Sequence, residues 1–186
     1  FHHAAAASYQ RLLEKLQPVE LLGLTATPER SDGMPVLHWF DDRIAAELRL
    51  WDAIDQHRLV PFAYYGIADD LDLREVPWSR SRGYDVEGLT NIITGTDVWA
   101  RKVLAEFQRH IGDPSQCRTL GFCVSVAHAR YMARVSNEHG VAAAAVWADT
   151  PDAERRQALA DLAAGRIRVL FSVDLFNEGV DLPTVD

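Results

Sequence analysis

The chain of 186 residues is 48% hydrophobic and 25% charged, which is ordinary for one globular domain, or for one domain and part of a second. Its 19 basic and 27 acidic residues give a formal net charge of −8, which excludes a global positive field that would attract nucleic acid or an anionic membrane. Any nucleic-acid binding must therefore rest on local features.

Signals for membrane insertion and secretion are missing from the sequence. No apolar run approaches the roughly 20 residues that span a bilayer, and the opening residues, FHHAAAA, do not read as a signal peptide. We therefore expect a cytoplasmic protein with no membrane partner. Because the chain opens in a helical pattern and closes on DLPTVD, both ends are expected to be cuts through a larger protein.

The sequence also carries no metal signature. Cys117 and Cys123 are the only cysteines, and their spacing of six matches neither a zinc pattern nor a disulfide framework. His2 and His3 are adjacent, so they do not form the i, i+4 pair of a helical metal site. We expect no metal ligands within this chain.

The first part of the chain predicts a helix and then a strand that ends in hydroxyl groups. Apolar residues at helical spacing predict a helix over Ala4 to Leu16, and Val19 to Leu24 reads as a buried strand. Thr25 and Thr27 follow, and Pro28 favours extended geometry at the residue before it. Ligands of open α/β sheets bind at the carboxyl ends of strands, so these two hydroxyls are candidate site residues.

The middle of the chain is less regular. Leu50 to His57 predicts a short helix, and Leu59 to Ile67 predicts a strand because it is rich in aromatic and β-branched residues. Arg43 to Leu48 is either a strand or a helical turn. Ala68 to Tyr84 has no clear period and reads as a long irregular connection. Val98 to Ile111 is an amphipathic helix.

The last third alternates strands and helices. Glycines at 140 and 165 close the two helices. Strand, helix, strand, helix and strand over about 55 residues predict right-handed crossovers and a parallel sheet of the α/β class. The predicted elements are, in order, Thr119 to Val124, Ala127 to His139, Val141 to Trp147, Thr150 to Ala164 and Ile167 to Ser172.

The carboxyl ends of these strands lie along one edge of a parallel sheet. Ser125, Ala148 to Thr150, and Val173 to Asp181 would occupy that edge, each beside a helix N-terminus or a turn. Helix N-termini with hydroxyl caps bind phosphates, and Arg155, one turn into the second helix, would add a charge. The plainer alternative is that Ser125 and Thr150 only cap their helices.

Three carboxylates follow the last strand. Asp174, Glu178 and Asp181 lie within eight residues, and Gly179 allows close approach of a ligand to the backbone. Such a cluster after a buried strand suggests an edge that faces a cation or a ribose. The alternative is a solvated acidic loop.

Three segments resemble the motifs of superfamily II helicases of the DEAD/DEAH-box, or D-E-x-H, type. They are LGLTATPER, GFCVSVAHAR and VLFSVDLFNEGVDLP, in that order. The resemblance implies RecA-like folds, with the end of a first RecA-like domain over residues 1–57 and most of a second, cut before its last motif, over 58–186. The NEGVD sequence is similar to the corresponding motif of bacterial DNA helicases related to repair and restriction translocases.

The resemblance also implies roles for individual residues. His2 takes the histidine position of the D-E-x-H box, and Thr25 and Thr27 belong to the motif that links nucleotide state to the nucleic-acid site. The positions that would contact nucleic acid, probably DNA, through its backbone phosphates are Ser125, Thr150, Arg155, Ser172 and Asp174. Those that would face ATP between the two domains are Glu178, Gly179 and Asp181.

The sequence lacks two motifs of this family. It contains no G-x-x-x-x-G-K-[ST] phosphate loop and no Q-x-x-G-R-x-x-R segment. ATP and Mg²⁺ would therefore need residues outside this chain, and we predict that the chain alone neither hydrolyses ATP nor unwinds DNA. The alternatives are a catalytically silent RecA-like interaction module, and the motor of a restriction or repair enzyme with a separate nuclease domain.

Overall fold

The computed structural model describes residues 7–16, 18–26, 37–68, 71–80, 82–176, 182–183 and 185. It divides into two compact units, Phe1–Tyr64 and Tyr65–Asp186. The domain limits expected from the resemblance, 1–57 and 58–186, stay a prediction. No helix among the described residues is both long and apolar enough to cross a membrane.

The first unit is helical where the sequence predicts helices. Helix α1 runs over Ala7–Lys15 and helix α2 over Leu50–Asp55. A short 3₁₀ helix over Leu37–Phe40 lies where no element is predicted. Residues 43–48, predicted as a strand or a helical turn, form neither. The backbone leaves α2 through His57, whose φ of 55° is left-handed.

The two strands predicted for residues 19–24 and 59–67 are wrong. Both stretches lack regular structure and stay exposed, with Leu22 and Leu24 about three-quarters accessible and Val60 and Tyr64 more so. A strand is stabilised by pairing with a neighbouring strand, and the described part of the first unit offers none. Apolar composition alone therefore does not make these residues a sheet.

The second unit opens with a hairpin and two helices. Strands β1 (Trp78–Ser79) and β2 (Gly83–Tyr84) pair antiparallel, inside the stretch that the sequence predicts to be irregular. Helix α3 (Val86–Thr94) follows, capped by the Asp85 carboxylate, which accepts a 2.8 Å hydrogen bond from the Gly88 amide. Helix α4 (Asp97–Ile111) is the predicted amphipathic helix.

The predicted parallel sheet is confirmed. Its elements are β3 (Thr119–Phe122), α5 (Val126–Glu138), β4 (Ala143–Val146), α6 (Asp152–Ala163) and β5 (Val169–Ser172). The strand order is β3-β5-β4, and all pairs are parallel. Gly140 and Gly165 follow the two helices with φ of 79° and 68°, in the left-handed conformation that glycine adopts without a steric penalty.

The central strand β5 joins two hydrophobic clusters. All four of its residues are buried, as expected of a parallel strand covered on both faces. Val169 and Phe171 pack with residues of α4 and α5, whereas Leu170 packs with Val146 and with apolar residues of α6. The sheet therefore has helices packed on both faces.

Candidate functional site

The three parallel strands end at the same level. Ser172, the last residue of β5, pairs with Phe122 on one side and with Val146 on the other. The segments that leave these strands, 123–125, 147–150 and 173–176, therefore start from one edge of the sheet. This is the edge on which the sequence places its candidate nucleic-acid contacts.

Ser125 begins helix α5 as its cap. Its hydroxyl oxygen accepts a 3.1 Å hydrogen bond from the His128 amide. The first N–H groups of a helix have no partner within it, so the amides of Val126 and Ala127 can donate to an oxyanion. The capping alternative and the phosphate-binding one are compatible, because the cap fixes the helix start that presents these amides.

Thr90, which the sequence does not indicate as a site residue, is hydrogen-bonded to Ser125. The hydroxyl oxygen of Thr90 in α3 lies 2.8 Å from that of Ser125 and 2.7 Å from the carbonyl oxygen of Val86. The Val86 carbonyl can only accept, so the single Thr90 hydroxyl proton is donated to it, and the Ser125 hydroxyl donates its proton to the Thr90 oxygen. The available signal was the helical spacing of apolar residues after Asp85, but it gives no hint of the contact with Ser125.

Buried neutral groups lie beneath the start of α5. Burial lowers the pKa of His128 to about 4, so the imidazole is neutral and its Nδ1 accepts a 3.3 Å hydrogen bond from the Val124 amide. The Trp99 ring packs edge-on at 5.5 Å. Burial also raises the pKa of the Cys123 thiol to about 12. The groups under this end of the edge therefore add no charge that would oppose a phosphate.

Thr150 does not cap helix α6, which corrects the prediction made for it. The cap position is Pro151, with no side-chain hydrogen bond, and the Thr150 hydroxyl accepts a 2.9 Å bond from the Trp147 amide instead. Thr150 is buried, and its own amide donates to the Trp147 carbonyl at 3.0 Å. The Thr150 side chain thus stabilises the turn after β4, because its hydroxyl accepts from the Trp147 amide in that turn and not from an amide of the helix.

Arg155 braces the same turn. One guanidinium nitrogen, Nη2, donates to the carbonyl oxygens of Ala148 at 3.2 Å and Thr150 at 3.1 Å, and it lies 3.6 Å from the Asp152 carboxylate. The side chain is 28% exposed, so its charge still reaches the surface of the edge. Arg155 therefore fixes the 148–150 turn and contributes a cation beside it.

A second cation at this edge was missed in the sequence. The guanidinium carbon of Arg130, an exposed residue of α5, lies 4.5 Å from the centre of the Trp147 ring. A cation stacked on an aromatic ring is held in place at little cost in hydration. Arg130 was not selected because only the fold brings α5 against the residue that follows β4.

Ser172 and Asp174 sit at different depths. Ser172 is fully buried, its hydroxyl donating to the Leu175 carbonyl at 3.4 Å and its carbonyl accepting from the Cys123 amide at 2.8 Å. Asp174 is exposed, with a left-handed φ of 50° that aspartate tolerates better than most residues. Asp174 can meet a ligand directly, whereas Ser172 shapes the turn beneath it.

The remaining candidates lie elsewhere. Thr25 is exposed in the first unit, in a stretch without regular structure. His2, Thr27, Glu178, Gly179 and Asp181 lie outside the described residues.

The described residues show no cluster of metal-binding side chains. They contain no group of three or more histidine, cysteine, aspartate or glutamate side chains able to hold a metal ion. The sequence likewise has no phosphate loop.

Two family models match the chain, one in its N-terminal part and one in its C-terminal part. The helicase conserved C-terminal domain matches residues 102–186, which contain the parallel sheet, and the res subunit of type III restriction enzymes matches residues 1–30. The two matches follow the same order along the chain as the motifs quoted above.

Curated relatives align along nearly the whole chain. A 51.5 kDa protein of a Lactococcus phage is 31% identical over 98% of the chain. The irc3 protein of Schizosaccharomyces pombe, which is provisionally named a mitochondrial ATP-dependent helicase, is 29% identical over 100% of the chain. The IRC3 protein of Saccharomyces cerevisiae, provisionally an ATP-dependent helicase, is 24% identical over 100%.

The chain spans 38%, 30% and 27% of the length of these three relatives, or about a third. Their alignments include both matched segments and the region between them. These matches, together with the parallel sheet in the matched C-terminal region, support the placement of the chain among the superfamily II helicases and a RecA-like sheet in its second unit.

Proposed function

We propose that this chain is part of an ATP-dependent motor that moves along nucleic acid, and that the carboxyl edge of its parallel sheet grips the phosphate backbone. The observation that carries the proposal is the common level at which Phe122, Val146 and Ser172 end their strands. That level brings the start of α5 and the Arg155-braced turn to one edge.

The grip is made by groups that recognise phosphate and ignore sequence. The amides at the start of α5 donate to phosphate oxygens, and Arg130 and Arg155 supply the positive charge that the chain lacks overall. Thr90 and Ser125 hold the helix start in position. Backbone contacts of this kind give affinity without sequence preference.

ATP, when bound, supplies the free energy for movement through its hydrolysis. By the family resemblance, Glu178, Gly179 and Asp181 would contact ATP, and His2 would take the histidine position of the D-E-x-H box. Thr25 and Thr27 would couple the nucleotide state to the nucleic-acid site. Since the sequence has no phosphate loop, this chain on its own is proposed to lack ATPase and unwinding activity. The proposed substrate is DNA, because the NEGVD sequence resembles the corresponding motif of bacterial DNA helicases. The proposed compartment is the cytoplasm.

The test is ATP hydrolysis by the full-length protein with single-stranded DNA, duplex DNA or single-stranded RNA. Stimulation by DNA supports the proposal, and stimulation by RNA alone would correct the substrate. Absence of both hydrolysis and nucleic-acid binding would favour a silent RecA-like interaction module. Multi-turnover hydrolysis by this chain alone would contradict its proposed inactivity.

A second candidate has one observation in its favour. Residues 1–30 match the res subunit of type III restriction enzymes. The motor could therefore serve a restriction or repair enzyme whose nuclease is a separate domain. Cleavage of DNA by the full-length protein in the presence of ATP would distinguish this enzyme from a translocase without a nuclease.

A further inference from the structure

The hairpin of β1 and β2 exposes two aromatic rings on one face. Trp78 and Tyr84 are directly opposite each other in its register, so their side chains project to the same side of the ribbon. Trp78 is 62% exposed and Tyr84 is 40% exposed. Neither ring stacks on another aromatic ring of the described chain. Both rings can therefore receive a planar partner.

A cavity of about 340 Å³ lies at this face. Its lining includes the apolar surfaces of Trp78, Tyr84, Pro77 and Val86, the Arg82 cation and the Asp85 carboxylate. The volume is at the lower end of the range for small-ligand sites, which suits a nucleobase better than a bulky cofactor. The cavity opens to solvent, as a site for one unit of a long polymer must.

The loop of the hairpin carries two positive charges that can contact an anionic partner. Arg80 and Arg82 are in its loop, and their guanidinium groups make no ion pair with described residues. Among the nearby acids, the Asp85 carboxylate caps α3 through the Gly88 amide and Asp72 pairs with Arg74, whereas Glu75 and Glu87 are exposed. Aromatic rings flanked by unpaired arginines are typical of surfaces that bind single strands by stacking bases and attracting phosphates.

We propose that the Trp78–Tyr84 hairpin is a stacking site for bases of single-stranded nucleic acid, with Arg80 and Arg82 contacting the flanking phosphates. This inference rests on the proposed function and extends it, because the carboxyl edge of the sheet binds phosphates only. The site adds a contact that requires unpaired bases. It would therefore favour a single strand over a duplex.

The experiment compares two oligonucleotides of equal length and charge, labelled dT20 and an abasic 20-mer, by fluorescence anisotropy with the full-length protein. The variants are Trp78→Ala, Tyr84→Ala and Trp78→Phe. Trp51→Ala is the control, because Trp51 is 66% exposed but its ring stacks on Phe62 at 5.8 Å. Thermal melting checks that each variant is folded, as expected for exposed positions.

We expect Trp78→Ala to weaken binding of dT20 roughly 5- to 100-fold, the range for loss of one base-stacking contact. Its affinity for the abasic strand should not change, Trp78→Phe should recover most of the loss, and Trp51→Ala should bind like the unmodified protein. Arg82→Gln should weaken both strands and lower the slope of log K against log salt by about 0.7.

Three results would overturn the inference. The first is equal affinity of Trp78→Ala and the unmodified protein for dT20, which would leave the proposed motor function intact. The second is loss of proline-rich peptide binding in Trp78→Ala while dT20 binding persists, which would assign the face to a peptide. The third is absence of binding to any oligonucleotide by the unmodified protein, which would reject the proposed function as well.

Discussion

The hydroxyl oxygen of Thr90 lies 2.8 Å from that of Ser125, across 35 residues of sequence. This contact ties α3 to the first residue of the turn that starts α5. Because Thr90 is buried and Ser125 half-buried, the pair is shielded from competing water. The position of the α5 amides at the candidate edge therefore depends on a helix that precedes the sheet.

Thr90→Val should weaken this tie without changing the shape of the side chain. We expect the free energy of unfolding to fall by about 1–2 kcal/mol, since the Ser125 hydroxyl loses a buried partner, with a matching loss of affinity for dT20. Urea denaturation and anisotropy measure the two effects. Thr94→Val is the control, because its hydroxyl donates only to the Thr90 carbonyl, at 2.7 Å.

A double-mutant cycle of Thr90→Val with Ser125→Ala would isolate the contact. A coupling energy of about 1 kcal/mol is expected for one shielded hydrogen bond. Additive effects of the two substitutions would show that the hydroxyl groups act independently.

Arg155→Ala should loosen the turn after β4. The substitution removes the bonds to the carbonyl oxygens of Ala148 and Thr150, and we expect a loss of about 1–2 kcal/mol in unfolding free energy, together with weaker binding of dT20. Arg156→Ala, an exposed neighbour with the same change in charge, should alter stability by less than about 0.5 kcal/mol. Equal effects of the two substitutions would show that Arg155 acts by charge alone.

His128 predicts a loss of stability in mild acid. Its folded pKa is about 4, below the ordinary 6.5, because burial disfavours the charged ring. Between these pH values the unfolded chain binds the extra proton, so stability falls as pH drops from about 7 toward 4, by up to about 3 kcal/mol. Urea denaturation at a series of pH values measures this slope.

His128→Gln should flatten that slope, since glutamine does not titrate. NMR titration of the His128 ring supplies the direct check. A midpoint near 6.5 in the folded protein would contradict the assignment of a buried, neutral imidazole.

Gly121 should tolerate no side chain. A Cβ built at this position of β3 lies 2.4 Å from the ring of Phe171, which is itself buried in β5. We expect Gly121→Ala to lower the free energy of unfolding by about 1–3 kcal/mol through overpacking. Adding Phe171→Leu should restore part of that loss, and a double variant less stable than either single variant would argue against a steric origin.

The sequence by itself determined the elements whose signals are local. Apolar periodicity and turn chemistry predict α2, α4 and the strand–helix alternation that ends at Ser172, and the structure confirms them. Gly140 and Gly165 mark the helix ends because glycine enters the left-handed conformation without strain. The family resemblance required only the order of three motifs, and the comparisons confirm it.

Only the tertiary structure decided which strand is central, what Thr90 touches and what Thr150 does. The sequence predicts the three strands of the parallel sheet but gives no reason for β5 to lie between β3 and β4, since pairing is a property of neighbours. Val19 to Leu24 has the composition of a strand and forms none, because no described strand of its unit pairs with it. Thr150 is a residue type that commonly caps helices, but its hydroxyl accepts a hydrogen bond from the Trp147 amide instead. The folded backbone brings that amide within reach of the hydroxyl, and the sequence does not show this.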